Sequence, residues 1–169
     1  MISPANWQRL KNLAEEVSQQ AGCKLYDMEF ISGRTLRVYI DRQDRNIGID
    51  DCSNVSKGLN DILDTEDLIP GGAYELEVSS PGLERVLKEA WHFSTALNKT
   101  VRLTLKEAVT PAKGENAPTK SVTGELVQAT DSDVHVHESS REWILKLDNV
   151  VKARVVFAEK TGKKNPKKR

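Results

Sequence analysis

The segment Tyr74-Glu-Leu-Glu-Val-Ser-Ser-Pro-Gly-Leu-Glu-Arg85 decides how the chain is divided. Its first half alternates apolar and polar residues, which predicts a strand with one buried face and one acidic face. The alternation stops at a turn in which proline cannot extend a hydrogen-bonded ladder and glycine can adopt a positive φ. A strand that runs into a rigid polar turn predicts a joint between two domains, formed by Ser79, Ser80, Pro81 and Gly82.

The residues before this segment predict two helices and two strands. Ser3-Pro4 is typical of a helix start, and Gly22 of a helix end. Strands over 24–31 and 35–41 follow, and we expect Asp50 to cap a second helix. The first strand should direct Tyr26, Met28 and Phe30, and the second Leu36, Val38 and Ile40, to a shared core. The order α-β-β-α-β predicts an N-terminal domain of residues 1–82, with a three-stranded sheet and two helices.

The residues after this segment change to a pattern of short strands. Residues 83–90 are interpreted as a connector, and the spacing of Trp91, Phe93 and Ala96 predicts a small helical turn. Several short alternating runs then predict a small β-barrel over 91–158. We expect the loop Thr110–Lys120 to be mobile, and the tail 159–169 to be disordered because it is too charged to pack.

The composition favours an unexported globular protein. No apolar run approaches the roughly 20 residues that span a bilayer, and the N-terminus lacks the pattern of a signal peptide. Cys23 and Cys52 are the only cysteines and are far apart in sequence, which indicates a reducing, cytoplasmic setting.

The net charge of zero conceals an uneven distribution. Residues 1–87 carry 9 basic and 15 acidic residues, a net of −6, whereas residues 88–159 carry 10 of each. Residues 160–169 add six basic residues and no acidic one. An acidic first half is typical of a soluble surface, but it also fits a docking face for a basic partner.

The sequence offers little material for catalysis or metal binding. His135 and His137 share a strand face without a third nearby ligand, so we interpret them as solvent-facing residues. Asp50-Asp51 precedes an apolar-periodic helix, which favours helix capping over a magnesium site. Ser79 and Ser80 lack a nucleophile-elbow motif, and their turn is read as structural rather than as an anion nest. We expect no catalytic residue, cofactor or metal.

The signals for nucleic-acid binding are partial. The basic tail should attract phosphates without reading sequence, and Lys152 and Arg154 alternate on the last predicted strand, with Lys146 as a possible neighbour. A solvated barrel face explains these two residues equally well. No aromatic strand or Gly-x-x-Gly clamp typical of RNA-binding modules is present.

Four segments of this chain together resemble the family of ribosome maturation factors called RimP. They are Leu36-Arg-Val-Tyr-Ile-Asp41, Ile49-Asp-Asp-Cys-Ser-Asn-Val-Ser56, the Tyr74–Arg85 segment and Val150-Val-Lys-Ala-Arg154. The resemblance runs in order from about residue 7 to residue 156. Val86 departs from an expected proline and Asn98 from an expected glycine, the Thr110–Lys120 loop is long, and the family does not require the lysine-rich tail.

The resemblance implies a two-domain α+β protein in which an Sm-like (Src-homology-3-type) small barrel follows the α/β domain. It also implies a cytoplasmic, non-enzymatic factor that binds the free small ribosomal subunit and assists incorporation of a basic ribosomal protein near the decoding centre. We expect rRNA contacts, no membrane association and a monomeric chain.

The candidate contact residues follow from charge and position. Glu75 and Glu77 lie on the polar face of the third strand, and they are candidates for a basic partner provided that helices do not cover that face. The acidic domain and the cleft between domains would receive the basic protein. The candidates for partner or rRNA contact with positive charge are Arg85, Lys152, Arg154, Lys163, Lys164, Lys167, Lys168 and Arg169.

Two other classes of function compete with this hypothesis. An Sm-like RNA-binding regulator would form a ring oligomer and bind single-stranded RNA, but the barrel is neutral and lacks stacking aromatics. A hydrolase would need a carboxylate or histidine cluster that the sequence does not assemble.

Overall fold

A computed structural model of the chain describes residues 2–31, 34–114 and 117–157. The chain separates into two compact units, the first ending at Pro81 and the second beginning at Gly82.

The first unit combines two helices with a three-stranded sheet. Its elements are α1 (Pro4–Gln20), β1 (Lys24–Ile31), β2 (Thr35–Asp41), α2 (Ile49–Leu63) and β3 (Glu75–Ser79). The sheet order is β1-β2-β3, with β1 antiparallel and β3 parallel to β2. This confirms the predicted order α-β-β-α-β.

Helix α1 begins and ends where the sequence predicts. The Ser3 hydroxyl accepts a hydrogen bond from the Asn6 N–H at 3.1 Å, and Pro4 occupies the first turn. Gly22 follows the helix with φ of +76°, a conformation that favours glycine. The buried stripe of α1 packs in one core with α2 and the sheet; this core includes Leu10, Leu13, Ala14, Val17, Leu36, Val38, Ile40, Val55 and Leu59.

Strand β1 corrects the predicted pattern of core residues. Its register with β2 shifts between Leu25 and Asp27, so that Tyr26 is the extra residue of a β-bulge. Leu25 and Met28 therefore join the core, and Phe30 packs against it. Tyr26 is buried, but it does not belong to the hydrophobic core of the first unit. The prediction that Tyr26 shares the core face was wrong because the bulge reverses the alternation before Asp27.

Asp51, not Asp50, caps helix α2. The helix begins at Ile49 after the N-cap residue Gly48, so Asp50 lies exposed within the first turn. The buried Asp51 carboxylate accepts from the Gly48 N–H at 2.9 Å and from the Arg45 guanidinium at 2.6 and 2.8 Å. These hydrogen bonds hold the pKa of Asp51 well below its usual range.

The second unit is a short helix followed by a five-stranded antiparallel sheet. Its elements are α3 (Ala90–Thr95), β4 (Thr100–Val109), β5 (Thr119–Ala129), β6 (Asp133–Glu138), β7 (Arg141–Lys146), a 3₁₀ turn (Leu147–Asn149) and β8 (Val150–Val155). The sheet order is β7-β6-β5-β4-β8. Its core includes Phe93, Val101, Leu103, Leu126, Val136, Trp143 and Leu145.

Gly124 permits an unusually close approach of two strands in this sheet. A Cβ atom built at Gly124 would collide with the backbone carbonyl oxygen of His137 on β6. Glycine inside a strand commonly marks such a close backbone contact. Gly124, which lies between the buried residues Val122 and Leu126 on β5, is therefore required by the packing of β5 against β6.

The edge strands β7 and β8 of this sheet each pair with a short segment of the same unit. Leu87 N–H donates to the Ala153 carbonyl at 2.8 Å, and Val155 N–H donates to the Arg85 carbonyl at 3.0 Å, which places 85–87 beside β8. Ala112 N–H donates to the Glu142 carbonyl of β7 at 2.7 Å. Among the described residues no ladder joins β7 to β8. The closed Sm-like barrel therefore stays a prediction, while the α+β class is observed.

These contacts also change the interpretation of two predicted linking segments. Residues 85–87, placed in the connector, pair with β8 of the second unit. Lys113 forms a β-bridge with Glu142, so this part of the Thr110–Lys120 loop lies against the sheet edge. Within the residues described, no helix is long and apolar enough to cross a membrane.

Candidate partner-binding surfaces

In the part of the first unit that the structure describes, no helix covers one face of the sheet. The apolar residues of β2 and β3 point to the core shared with α1 and α2, and the alternate residues form the other face. We call this second surface the open sheet face. Its polar and charged residues include Lys24, Asp27 and Glu29 on β1, Arg37, Tyr39 and Asp41 on β2, and Glu75 and Glu77 on β3.

The open sheet face is acidic. It carries five carboxylates against the two cations Lys24 and Arg37, a net of −3. Glu29, Arg37 and Glu77 lie in one row across the three strands. Arg37 Nε donates to Glu77 Oε2 at 2.9 Å, so one arginine stands between two glutamates. The row keeps an excess of negative charge even after this ion pair forms.

Tyr39 fixes the position of one of these carboxylates. Its hydroxyl donates to Glu29 Oε1 at 2.6 Å. Burial, together with this hydrogen bond, raises the pKa of Tyr39, so the phenol remains a donor at neutral pH. The Glu29 carboxylate is therefore held in place on the surface.

Within the described residues of the first unit, helices do not cover the face of β3 that carries Glu75 and Glu77, as their candidacy requires. Both residues are exposed, and the helices cover the opposite side of β3, which carries Leu76 and Val78. Glu75 lies opposite Thr35 in the ladder with β2. Their contact with a partner stays a prediction.

The predicted joint has the local geometry of a strand end followed by a glycine turn. Ser79 is the last residue of β3, and Gly82 adopts φ of +82°. No atom of the described residues lies within 4 Å of a Cβ at Gly82, so the backbone conformation rather than crowding favours glycine there. The role of Ser79, Ser80, Pro81 and Gly82 in setting a domain angle stays a prediction.

Strands β4 and β8 of the second unit form a cationic surface. Arg154 lies directly opposite Arg102 in the antiparallel ladder, and Lys152 lies opposite Thr104. All three cationic side chains are exposed, and none of them forms an ion pair within the described part of the chain. Like charges directly opposite each other destabilise a pair of strands. Because carboxylates of the described residues do not balance them, the positive charges of Arg102 and Arg154 repel each other.

A groove lies beside these cations, within the second unit. Its volume is about 630 Å³. Val86, Phe93 and Val151 contribute to its apolar lining, and Lys88, Arg102, Lys152 and Arg154 contribute its charges. We call it the β4–β8 groove. Val86 and Val151 are 48% and 54% exposed, so the apolar part is open to solvent.

The remaining predicted cations do not join this groove. Arg85 is half-buried and donates from Nη1 to the Thr95 hydroxyl at 3.2 Å, which gives it a structural contact. Lys146 lies on β7, at the opposite end of the sheet order from β8. The predicted tail contacts Lys163, Lys164, Lys167, Lys168 and Arg169 lie outside the described residues.

Arg102 is the residue that sequence reasoning missed. The alternation of Val101, Leu103 and Leu105 already indicated that Arg102 points away from the core. Its position opposite Arg154, however, depends on the pairing of two strands about fifty residues apart in sequence. No local pattern predicts that register.

The histidines are placed as structural or surface residues. His135 and His137 lie on β6, with Nε2 at 3.7 and 3.2 Å from carboxylate oxygens of Asp133 and Glu142. His92 is buried, and its Nδ1 accepts from the N–H groups of residues 88 and 89 at 3.0 and 3.2 Å. In the described ranges no three His, Cys, Asp or Glu side chains converge as metal ligands would.

Comparison with known families bears on the first unit. Residues 13–84 match the sequence model of the family described as the RimP N-terminal domain. This range contains the second half of α1, the whole sheet of the first unit, α2 and the predicted joint. RimP proteins are ribosome maturation factors and are not known as a family of enzymes. Residues 13–84 are thus similar to the N-terminal domain of RimP proteins, which supports the RimP family for this chain.

Proposed function

We propose that this protein binds the free small ribosomal subunit and assists incorporation of a basic ribosomal protein near the decoding centre. It would act in the cytoplasm, as a monomer and without catalysis. The role of the family in ribosome maturation supports the general process, and the charge of the open sheet face supports the choice of partner.

The observation that carries the proposal is the concentration of carboxylates on a sheet face without helices. Five carboxylates share this surface with two cations, and Glu75 and Glu77 are exposed on its β3 edge. Ribosomal proteins are generally basic because they neutralise rRNA. An acidic surface can attract such a protein before it reaches rRNA and can release it to the stronger negative charge of rRNA.

The second unit would contribute contacts to rRNA. Lys152 and Arg154 are exposed on β8, and the basic residues of 160–169 add charge that is suited to phosphate. The two units would thus use opposite charges for the two components that must be brought together. Arg85 is a weaker candidate, because its side chain already contacts Thr95.

The pairing of both sheet edges favours this proposal over a ring-forming RNA-binding regulator. A ring built by edge-to-edge strand pairing needs free edges on neighbouring subunits. Residues 85–87 occupy part of the β8 edge, and residues 112–113 occupy part of the β7 edge. A neighbouring subunit would have to displace these segments.

Sedimentation of a cell lysate on a sucrose gradient tests the proposal. We expect the chain to migrate with free small subunits and to be absent from translating ribosomes. A variant with Glu75→Gln and Glu77→Gln, which removes the two carboxylates without adding cations that bind rRNA, should sediment less with small subunits. Detection of the wild-type chain only at the top of the gradient would contradict the proposal.

A further inference from the structure

We propose that the β4–β8 groove is a binding site for single-stranded RNA, in which the cations hold successive phosphates and the apolar lining receives a base. This inference rests on the proposed function, because it takes rRNA as the partner of the second unit. It adds a defined site with Arg102, Lys88 and an apolar pocket, beyond the cations Lys152 and Arg154 on β8.

The arrangement of charge is the first argument. Arg102 and Arg154 face each other across the β4–β8 ladder without a carboxylate partner, and Lys152 follows on the same side of β8. Such a pair is unfavourable in the free protein and becomes favourable when a polyanion neutralises both charges. Arginine is also suited to phosphate, because its planar guanidinium donates two parallel hydrogen bonds.

The spacing of the cations is the second argument. Arg154 and Lys152 are two residues apart on one strand, which separates them by roughly 7 Å. This separation is comparable with that between neighbouring phosphates of an extended single strand. A duplex offers its phosphates on a stiff cylinder, whereas a single strand can follow the strand direction of β8.

The apolar lining is the third argument. Val86 and Val151 are about half exposed beside the cations, and the groove volume of about 630 Å³ is large enough for a nucleobase. Phe93 also lines the groove but is only 2% exposed, so it offers little surface for stacking. We therefore expect apolar contact with a base and little preference among base types.

An acidic protein segment is the competing occupant, since carboxylates would also be attracted to these cations. RNA is favoured because Lys152 and Arg154 are spaced along β8 as neighbouring phosphates are along a single strand. It is also favoured by the similarity to RimP proteins, since ribosome maturation involves rRNA. The test below includes an acidic peptide so that the two occupants give different results.

The first measurement is binding of a fluorescein-labelled 12-residue oligouridylate to the full-length chain, followed by anisotropy from 50 to 200 mM KCl. Relative to wild type, Arg102→Gln with Arg154→Gln should weaken binding roughly tenfold at low salt and reduce the slope of log affinity against log salt by about 1.4. The matched control, Lys99→Gln with Lys120→Gln, removes two exposed charges outside the groove and should change both quantities much less.

A second variant separates the apolar contact from the charges. Val151→Thr keeps the shape of an exposed side chain and its strand preference, but makes the groove more polar. We expect binding to weaken by a few fold with an unchanged salt slope. An unchanged affinity would remove the base-binding part of the proposal.

Photocrosslinking locates the bound strand directly. An oligouridylate containing 4-thiouridine should crosslink to peptides that contain Val86, Phe93 or Val151. Crosslinks confined to other parts of the chain would overturn the proposal. It would equally be overturned if the Arg102 and Arg154 variant bound oligouridylate normally but lost binding of a labelled hexaglutamate peptide, because the groove would then be a site for acidic protein.

Failure of this proposal is distinguishable from failure of the proposed function. If wild type sediments with small subunits but the groove variants bind oligouridylate normally, only the groove assignment is wrong. If the groove crosslinks to oligouridylate but the chain never sediments with small subunits, the proposed function is wrong and the RNA site stands.

Discussion

Arg102 on β4 and Arg154 on β8 are directly opposite each other in the ladder that joins these strands. Both side chains are exposed, and neither has an ion-pair partner among the described residues. The pair is unfavourable for the fold but provides two cations at directly opposite ladder positions. The open sheet face of the first unit has the opposite character, since Glu29 and Glu77 flank a single arginine.

We predict that neutralising one arginine of this pair stabilises the protein slightly. Arg102→Gln removes a repulsion between neighbouring strands, which should raise the free energy of unfolding by up to about 0.5 kcal/mol at low salt. The gain should vanish in 0.5 M KCl, where exposed charges are screened. Chemical denaturation at both salt concentrations checks this, with Lys99→Gln as the control. A loss of stability for Arg102→Gln alone would contradict the repulsion argument.

We predict that Asp51 governs part of the acid sensitivity of the first unit. Its pKa is lower in the folded chain than in the unfolded chain, so its stabilisation is present above the ordinary aspartate range and is lost as pH falls toward the lowered value. Asp51→Asn should therefore lower the melting temperature at pH 7 and flatten its decline below pH about 5.

Asp50→Asn is the matched control, because Asp50 is exposed in the same helical turn and does not bond Gly48. Thermal unfolding from pH 7 to pH 2 compares the two variants. Equal behaviour of both variants would show that the Arg45 and Gly48 contacts of Asp51 contribute nothing to stability.

We predict that Gly124→Ala disrupts the pairing of β5 with β6. The added methyl group would meet the His137 backbone, which cannot rotate away as a side chain can. The expected loss is about 1–3 kcal/mol or more for the second unit. Amide hydrogen exchange should show faster exchange in β5 and β6, while Ser121→Ala on the same strand leaves exchange unchanged. Protection equal to wild type would mean that the strands separate easily at this point.

We predict that the basic tail strengthens association with small subunits through charge alone. Deletion of residues 160–169 removes six cations, which should weaken association at low salt and reduce its salt dependence. Cosedimentation of purified chain and small subunits over a range of KCl concentrations measures both effects. Identical salt curves for the full and shortened chains would exclude this role of the tail.

Much of the first unit could be predicted, because its signals are local. Ser3-Pro4 and Gly22 set the ends of α1, and the alternation of Leu36, Val38 and Ile40 set the buried face of β2. The bulge at Tyr26 could not be predicted, because its sequence alternates as an unbroken strand would. The choice of Asp51 over Asp50 depends on where the helix begins and on the reach of Arg45.

The surfaces of the second unit were less predictable, because they depend on pairing between distant strands. Lys152 and Arg154 were identified from alternation alone. The position of Arg102 opposite Arg154 follows only from the register between β4 and β8. The same limit applies to the Thr110–Lys120 loop. Its composition predicted mobility, but the backbone of Ala112 and Lys113 is paired with Glu142.

The central claim is that the open sheet face helps to load a basic ribosomal protein, and its most direct test is protein occupancy. Cells whose only copy of this chain carries Glu75→Lys and Glu77→Lys would be compared with cells that carry Asp61→Lys and Asp67→Lys, two exposed acidic residues outside the open sheet face. Quantitative mass spectrometry of purified free small subunits gives the occupancy of each ribosomal protein. We predict reduced occupancy of a basic protein near the decoding centre in the first strain and normal occupancy in the second. Equal occupancy in both strains, with both variant chains folded, would contradict the account.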